Sequence, residues 1–369
     1  MKTHRKPLVI AVATALGTLG TLPVQALQIT TSPVSFNNSA SVTDNEGAPS
    51  TSNNNGASLG NSLLSQFNSN LGVLTGTTLS LVSTRTQTIA VTSTDGPNTG
   101  KTGSVTSEGT GSSNAQITAP GVSSLLSTIQ ANDACTATRQ GACNDGSSTS
   151  STPTNISSVP VALGNLNDYV GGSTVTVTRT APTLTATQQK NVFTGTEQTD
   201  YTLNWAGELK LTYTYLLHAA PSFVDASQQL TLDLDFGTVF LGDAVPDLDF
   251  SIYNPVGERV GLDLDSISGS GHTAQLATNL STFQALAAGS SLGFLASFDT
   301  STLGTYSAHY TLNFSDADEG ASSSRSNYVL TLNLAGSVIE RPIPVPEPGA
   351  LSLLGVGLLG LPFARRRRS

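Results

Sequence analysis

Charge is scarce in this chain. Asp, Glu, Lys and Arg make up 11% of its 369 residues, against about 25% in a typical soluble protein. Lys and Arg together number only 16, which excludes a nucleic-acid binder that works by neutralising phosphates. Two Cys exclude a disulfide-dense scaffold and a Cys-rich metal protein, and a single Met excludes a Met-lined groove. Aromatic residues reach only 6%, with one Trp, which argues mildly against a stacking platform for sugars. Hydroxyls fill the gap: 47 Ser and 50 Thr make up about a quarter of the chain. The apolar share, 37% plus 35 Gly, is ordinary, so there is material for two domains at roughly 100–200 residues each.

The first 26 residues read as a cleavable signal peptide. Lys2, Arg5 and Lys6 form a charged start, and Leu8 to Leu22 an apolar run. Val24-Gln25-Ala26 offers the small residues that signal peptidase accepts, with the cut after Ala26. Export through the general secretion machinery is the expectation.

The last 25 residues, 345–369, have three parts. Val345-Pro346-Glu347-Pro348 is a stiff extended stretch, because each Pro fixes φ and lacks an amide donor. Residues 349–363 form a charge-free apolar segment, and Arg365, Arg366, Arg367 and Arg368 a basic block. As a helix the apolar segment is about 22 Å long, shorter than the ~30 Å hydrocarbon core. The four arginines would stay cytoplasmic and leave the body outside. A short span beside an accessible extended stretch suits a temporary anchor.

In that order, these parts resemble a PEP-CTERM sorting signal. The resemblance implies a Gram-negative bacterium that makes exopolysaccharide. It also implies an exosortase, a membrane-embedded enzyme that cuts near Pro346-Glu347-Pro348 after an inner-membrane-anchored intermediate. With the seven basic residues of its two ends removed and Glu347 kept, the chain has 9 basic and 25 acidic residues, a net charge of −16, so it would repel nucleic acid and anionic surfaces.

Between the ends, the expected fold class is mainly β. Residues 27–165, rich in Ser, Thr, Asn and Gly, read as an irregular β region or a partly disordered stalk. Within it, Asn61 to Leu74 and Val122 to Ile129 have helical apolar spacing and predict short helices. Residues 166–229 read as a strand region, with a hairpin over 201–217 turning at Ala206-Gly207. Trp205 beside that turn reads as a packing residue.

Residues 230–340 show the clearest pattern, with strands at spacings near ten residues separated by Gly, Asn and Asp turns. Six strands are expected: Leu230–Phe236, Leu248–Tyr253, Gly261–Ile267, Leu292–Phe298, Tyr306–Phe314 and Tyr328–Leu334. LDFGTVFLGD at Leu234–Asp243, FSIYN at Phe250–Asn254, the Leu286–Phe314 stretch and LTLNLAG at Leu330–Gly336 resemble Ig-like sandwiches of the ASPM/Hydin type. That resemblance implies a fold and no chemistry.

Candidate chemistry is thin. Cys135 and Cys143 sit in a polar segment of an exported chain and read as a disulfide. Gly56-Ala57-Ser58-Leu59-Gly60 matches G-x-S-x-G, but Thr51 to Asn55 before it make no strand to build a nucleophile elbow. His218, His272 and His309 have no zinc-motif spacing. Asp-x-Asp recurs at Asp233/Asp235, Asp247/Asp249, Asp263/Asp265 and Asp316/Asp318, and in strands such pairs share the solvent face. The sharper alternative is Ca²⁺ at Asp316, Asp318 and Glu319.

The function expected from all this is an exported, non-catalytic surface or matrix protein of an exopolysaccharide-rich envelope or biofilm, sorted by an exosortase. The alternative is an adhesin or carbohydrate-binding module at the cell surface. No cofactor and no metal are called for. The expected partners are exosortase, signal peptidase and, further out, exopolysaccharide, with the tail touching the membrane transiently.

Overall fold

Alternation with a period of two runs through most of the chain, and the computed structural model turns it into strands. The structure describes residues 26–45, 49–94, 103–189, 195–225 and 227–342. The chain divides into two units, one of residues 1–217 with 257–259, the other of residues 218–256 and 260–369.

The first unit holds, among the described residues, twelve strands. They are β1 (Leu27–Thr30), β2 (Val34–Asp44), β3 (Ser50–Asn53), β4 (Ala57–Ser65), β5 (Val73–Thr94) and β6 (Ser104–Ala119). There follow β7 (Val122–Thr138), β8 (Ala142–Pro153), β9 (Ile156–Pro160), β10 (Thr174–Ala181), β11 (Leu184–Gln189) and β12 (Thr196–Leu216). In one sheet, β12 pairs with β5 along its whole length, β1 and β2 flank β12, and β8 and β9 flank β5. The second sheet centres on β6, with β7 on one side and β10 and β11 on the other, followed by β4 and β3. Pro182 separates β10 from β11, since proline has no amide to give a ladder.

Apolar and polar residues sort by parity. Leu79, Leu81, Ile89 and Val91 of β5 and Leu203, Trp205, Leu209 and Leu211 of β12 are buried. The opposite faces carry hydroxyls that meet across strands, at Thr86–Ser151 (3.0 Å), Thr88–Thr149 (3.3 Å), Thr51–Thr187 (3.0 Å) and Thr106–Thr136 (2.8 Å). Thr suits such positions because its β-branched side chain fits a pleated surface and its hydroxyl is wet.

The interior also holds polar side chains, several of them tied across the sheets. Trp205 packs edge-on against Phe36 at 5.5 Å and donates from Nε1 to Ser83 Oγ at 2.9 Å, and Ser83 in turn donates to the Thr154 carbonyl. Arg85 on β5 donates to Thr154 Oγ1 at 3.0 Å and to the Ser127 carbonyl on β7 at 2.7 Å, lacing the sheets together. Arg179 on β10 donates to Ser62 Oγ at 2.7 Å and Asn38 Oδ1 at 3.1 Å, with its guanidinium 4.0 Å over the Phe36 ring. Burial lowers the pKa of both arginines. Cys135 of β7 and Cys143 of β8 form a disulfide, eight residues apart, that joins a strand of one sheet to a strand of the other. By loop entropy such a short closure contributes up to about 2.5 kcal/mol.

Three expectations are overturned here. Residues 27–165 form neither a stalk nor a separate region: their strands share sheets with β10, β11 and β12, because neither face closes without those partners. The predicted helices are absent. Asn61 to Leu74 runs through β4, a 3₁₀ turn at Ser69–Leu71 and the start of β5, while Val122 to Ile129 lies in β7. Both stretches find a cross-strand partner, β10 for one and β6 for the other, and pairing overrides their local spacing. The third is the hairpin over 201–217, since β12 runs unbroken from Thr196 to Leu216. Gly207 makes no turn. It takes an inward position opposite Ser83, where a Cβ would run into the Val82 carbonyl and the Ser83 backbone.

The second unit contains β13 (Thr231–Phe240), β14 (Leu248–Asn254), β15 (Leu262–Gly271), β16 (Leu276–Thr278), β17 (Phe283–Leu286), β18 (Ser290–Phe298), β19 (Gly304–Asp316) and β20 (Asn327–Ile339). Its larger sheet has the order β13-β20-β19-β15-β17 and its smaller one β14-β18-β16. All six expected strands are found, each longer than expected, and β16 and β17 are additional. The β13–β20 pair is parallel, while the other pairs are antiparallel. Phe250, Ile252, Leu262, Leu264, Leu312, Phe314, Leu330, Leu332 and Leu334 form its core.

Gly207→Val should overpack the Trp205–Ser83 contact and cost roughly 3 kcal/mol, read as a lower denaturation midpoint by the fluorescence of the single Trp. An unchanged midpoint would refute the close approach. A second expectation concerns alkali. Burial, with the Asp168 charge as a smaller cause, pushes Tyr169 up to about 12, and burial also raises Tyr201 and Tyr213. Their folded state favours the neutral phenol, so this contribution is intact below the ordinary value of about 10. It is lost as pH rises through the folded values. Tyrosinate absorbance should therefore show a late group of phenols that ionises only as the unit unfolds, whereas one smooth titration near 10 would contradict their burial.

Candidate functional site

Two sequence-predicted sites lie outside the described residues: Val345, Pro346, Glu347, Pro348 and Arg365 to Arg368 at one end, and Val24 at the other. Ala26 is described, and Leu27 after it opens β1. Ser58 of the G-x-S-x-G match lies in β4 opposite Thr180, a paired strand where an elbow would need a turn into a helix.

The three residues considered for calcium do not converge. The buried Asp316 carboxylate accepts from the Ala219 amide at 2.7 Å and the Ser326 amide at 3.0 Å, and its Oδ2 lies 2.7 Å from His218 Nδ1. Asp318 is 90% exposed and pairs with Arg325 at 2.9 Å. Glu319 is exposed on the same loop. Among the described residues no group of three or more His, Cys, Asp or Glu side chains could hold a metal.

With Nδ1–H directed at Asp316, His218 Nε2 faces Ser326 Oγ at 3.4 Å. Ser326, His218 and Asp316 thus have the connectivity of nucleophile, base and orienting acid. The Ser326 amide is already spent on the Asp316 carboxylate. The arrangement acts as a pin, in which one buried carboxylate fastens the entry segment at Ala219, the end of β19 and the approach to β20.

A different constellation lies on the outer face of the larger sheet. Asp233 of β13, Asn333 of β20, His309 of β19 and Ser270 of β15 stand in register as one row across four strands. Asn333 Nδ2 donates to Asp233 Oδ1 at 2.7 Å, and Asn333 Oδ1 lies 2.7 Å from His309 Nδ1. An amide that donates through nitrogen must accept through oxygen. His309 therefore carries its proton on Nδ1 and turns Nε2 to Thr311 Oγ1, at 3.4 Å. In the next row, Asp235 stands opposite Ala335, and Ala335 opposite Ser307.

The small side chains of this second row leave a depression of about 590 Å³ between the taller ones. Its rim is set by a bulge. The β13–β20 register shifts between Asp235 and Thr238, Gly237 adopts φ +70°, and the Gly237 amide donates to Asp235 Oδ1 at 2.8 Å. A bulge bends an edge strand and re-aims its side chains, and here it fixes Asp235 at the mouth of the depression. Alternation places Asp233 and Asp235 on a solvent face. Their meeting with Asn333 and His309 is set by strand register across about a hundred residues, for which no local signal exists.

Residues 344–368 match the family described as the PEP-CTERM protein-sorting motif. That motif implies export, a transiently membrane-anchored tail and processing by an exosortase. No curated protein matches the chain. A solved structure of the infectious bursal disease virus Gx strain aligns with 52% of this chain and 36% of its own, at 11% identity and a TM-score of 0.14. The alignment thus spans about a third of the viral chain, and a score that low carries no argument. Among the described residues no helix is long and apolar enough to cross a membrane.

Asp316→Ala would strand the buried Ala219 amide, the half-buried Ser326 amide and His218, and should lower the stability of the second unit by about 2–4 kcal/mol. Asp318→Ala, which removes an exposed pair, should leave it nearly unchanged. Chemical denaturation of both variants checks this; equal effects would mean that Asp316 is no pin.

Proposed function

We propose that this protein is a non-catalytic component of the cell surface or extracellular matrix. After export and removal of the signal peptide, an exosortase cuts near Pro346-Glu347-Pro348 and releases or transfers the body into an exopolysaccharide-rich envelope. The sorting motif at residues 344–368 carries this reading.

The body supports it in two ways. Its outer faces are wetted by paired hydroxyls more than by charge, and its one disulfide suits an oxidising exterior. The Ser–His–Asp connectivity in the second unit is committed to holding three chain segments, which favours a structural role over hydrolysis. The Ig-like character of the second unit, of the ASPM/Hydin type, belongs to the same reading, since such a module serves as spacer or contact surface. Secretion machinery, signal peptidase and exosortase are its transient partners, and a Gram-negative cell surface its destination.

The intact mass of the protein from its native host, with and without a working exosortase, tests the proposal. A mass lacking residues beyond the Pro346-Glu347-Pro348 stretch, seen only with the enzyme present, is expected. A full-length tail in both strains would overturn it.

A further inference from the structure

We propose that the depression on the larger sheet of the second unit binds a saccharide unit bearing no acidic group. It would be held by Asp233 and Asp235 over a floor of Ala335 and Ser307, with the His309 ring as one wall. The sorting reading neither contains this site nor depends on it.

The observations converge on that class of ligand. The depression, about 590 Å³, is large enough for one or two sugar rings and opens to solvent on the exposed face of a sheet. Its polar groups are mostly acceptors: each carboxylate has one oxygen engaged within the protein, Asp233 by Asn333 and Asp235 by Gly237. The remaining carboxylate oxygens suit a ligand rich in hydroxyl donors. Hydroxyls on adjacent ring carbons offer such donors in pairs.

Charge selects further. Two carboxylates line the depression with no Lys or Arg among its residues, so a uronate or sulfated sugar would be repelled. Among the described residues, no set of three metal-ligating side chains converges, so a cation is the poorer fit.

Orientation is built in beforehand. The relay from Asp233 through Asn333 fixes the His309 ring and tautomer before any ligand arrives, and the Gly237 amide does the same for Asp235. Groups already held in place lose little freedom on binding. Ring stacking is not required of this site, which matches the low aromatic content of the chain.

The full-length chain should be tested on an immobilised panel of gluco-, galacto-, manno- and N-acetylglucosamine oligomers, glucosamine oligomers and oligoguluronate. Binding to one or more of the non-acidic oligomers is expected, with none to oligoguluronate. Asp233→Asn should weaken that binding at least about tenfold. Ala335→Trp, which fills the depression from its exposed side and spares the relay, should abolish it with the melting temperature kept. Absence of binding across the panel, binding confined to oligoguluronate, or binding that survives Ala335→Trp would each overturn the proposal. Tail processing, read separately by intact mass, is untouched by any of these results.

Discussion

The ladder between β5 and β12 is the constraint on which the first unit depends. It pairs 21 residues of β12 with one continuous partner, and every other strand of that sheet is placed against one of the two. From Thr196 to Thr214 parity never slips, the one register shift lying near the end between Thr214 and Tyr215; a one-residue shift in the middle would turn every buried side chain beyond it outward. Gly207 keeps parity where no side chain would fit. On either side of it, Leu203, Trp205, Leu209 and Leu211 stay on one face.

The same constraint explains a polar interior in a protein with little charge. Residues facing inward along β5 include Ser83, Arg85 and Gln87 as well as Leu and Ile, so the space between the sheets cannot be filled by hydrocarbon alone. A buried polar group is costly unless it finds a partner. Arg85 and Arg179 do so by reaching neutral oxygens on the opposite sheet, which turns a desolvation cost into a cross-link. Outside, the hydroxyl pairs perform the solvating role that Lys and Glu usually take, with fewer long side chains to order.

Much of this was legible in the sequence, and the failures are instructive. The strands of the second unit follow from alternation and turn spacing, and the sorting tail from the order of its three parts. The sequence itself argues against a hairpin at Ala206-Gly207. A two-residue turn there would have sent Leu209, Leu211 and Tyr213 to the face opposite Trp205, whereas unbroken parity keeps all of them inside. The helices at Asn61 to Leu74 and Val122 to Ile129 failed because short apolar runs fit either period, and a strand partner far along the chain decided the outcome. The row of Asp233, Asn333 and His309, like the pairing of His218 with Asp316, depends on register between distant strands, and one sequence does not encode that visibly.

The placement of β20 has a mechanical consequence. The strand that leads into the sorting tail lies inside its sheet, between β13 and β19. It runs parallel to β13, from Thr231 opposite Thr331 to Phe240 opposite Ile339. The chain enters β13 at one end of this pair and leaves β20 at the other. Tension between the first unit and a tethered tail would therefore draw the two strands past each other along their length. The bonds of the ladder would share that load and break together, where a hairpin would unzip one bond at a time. A body held by its tail while the surroundings pull on it is, by this geometry, a shear clamp.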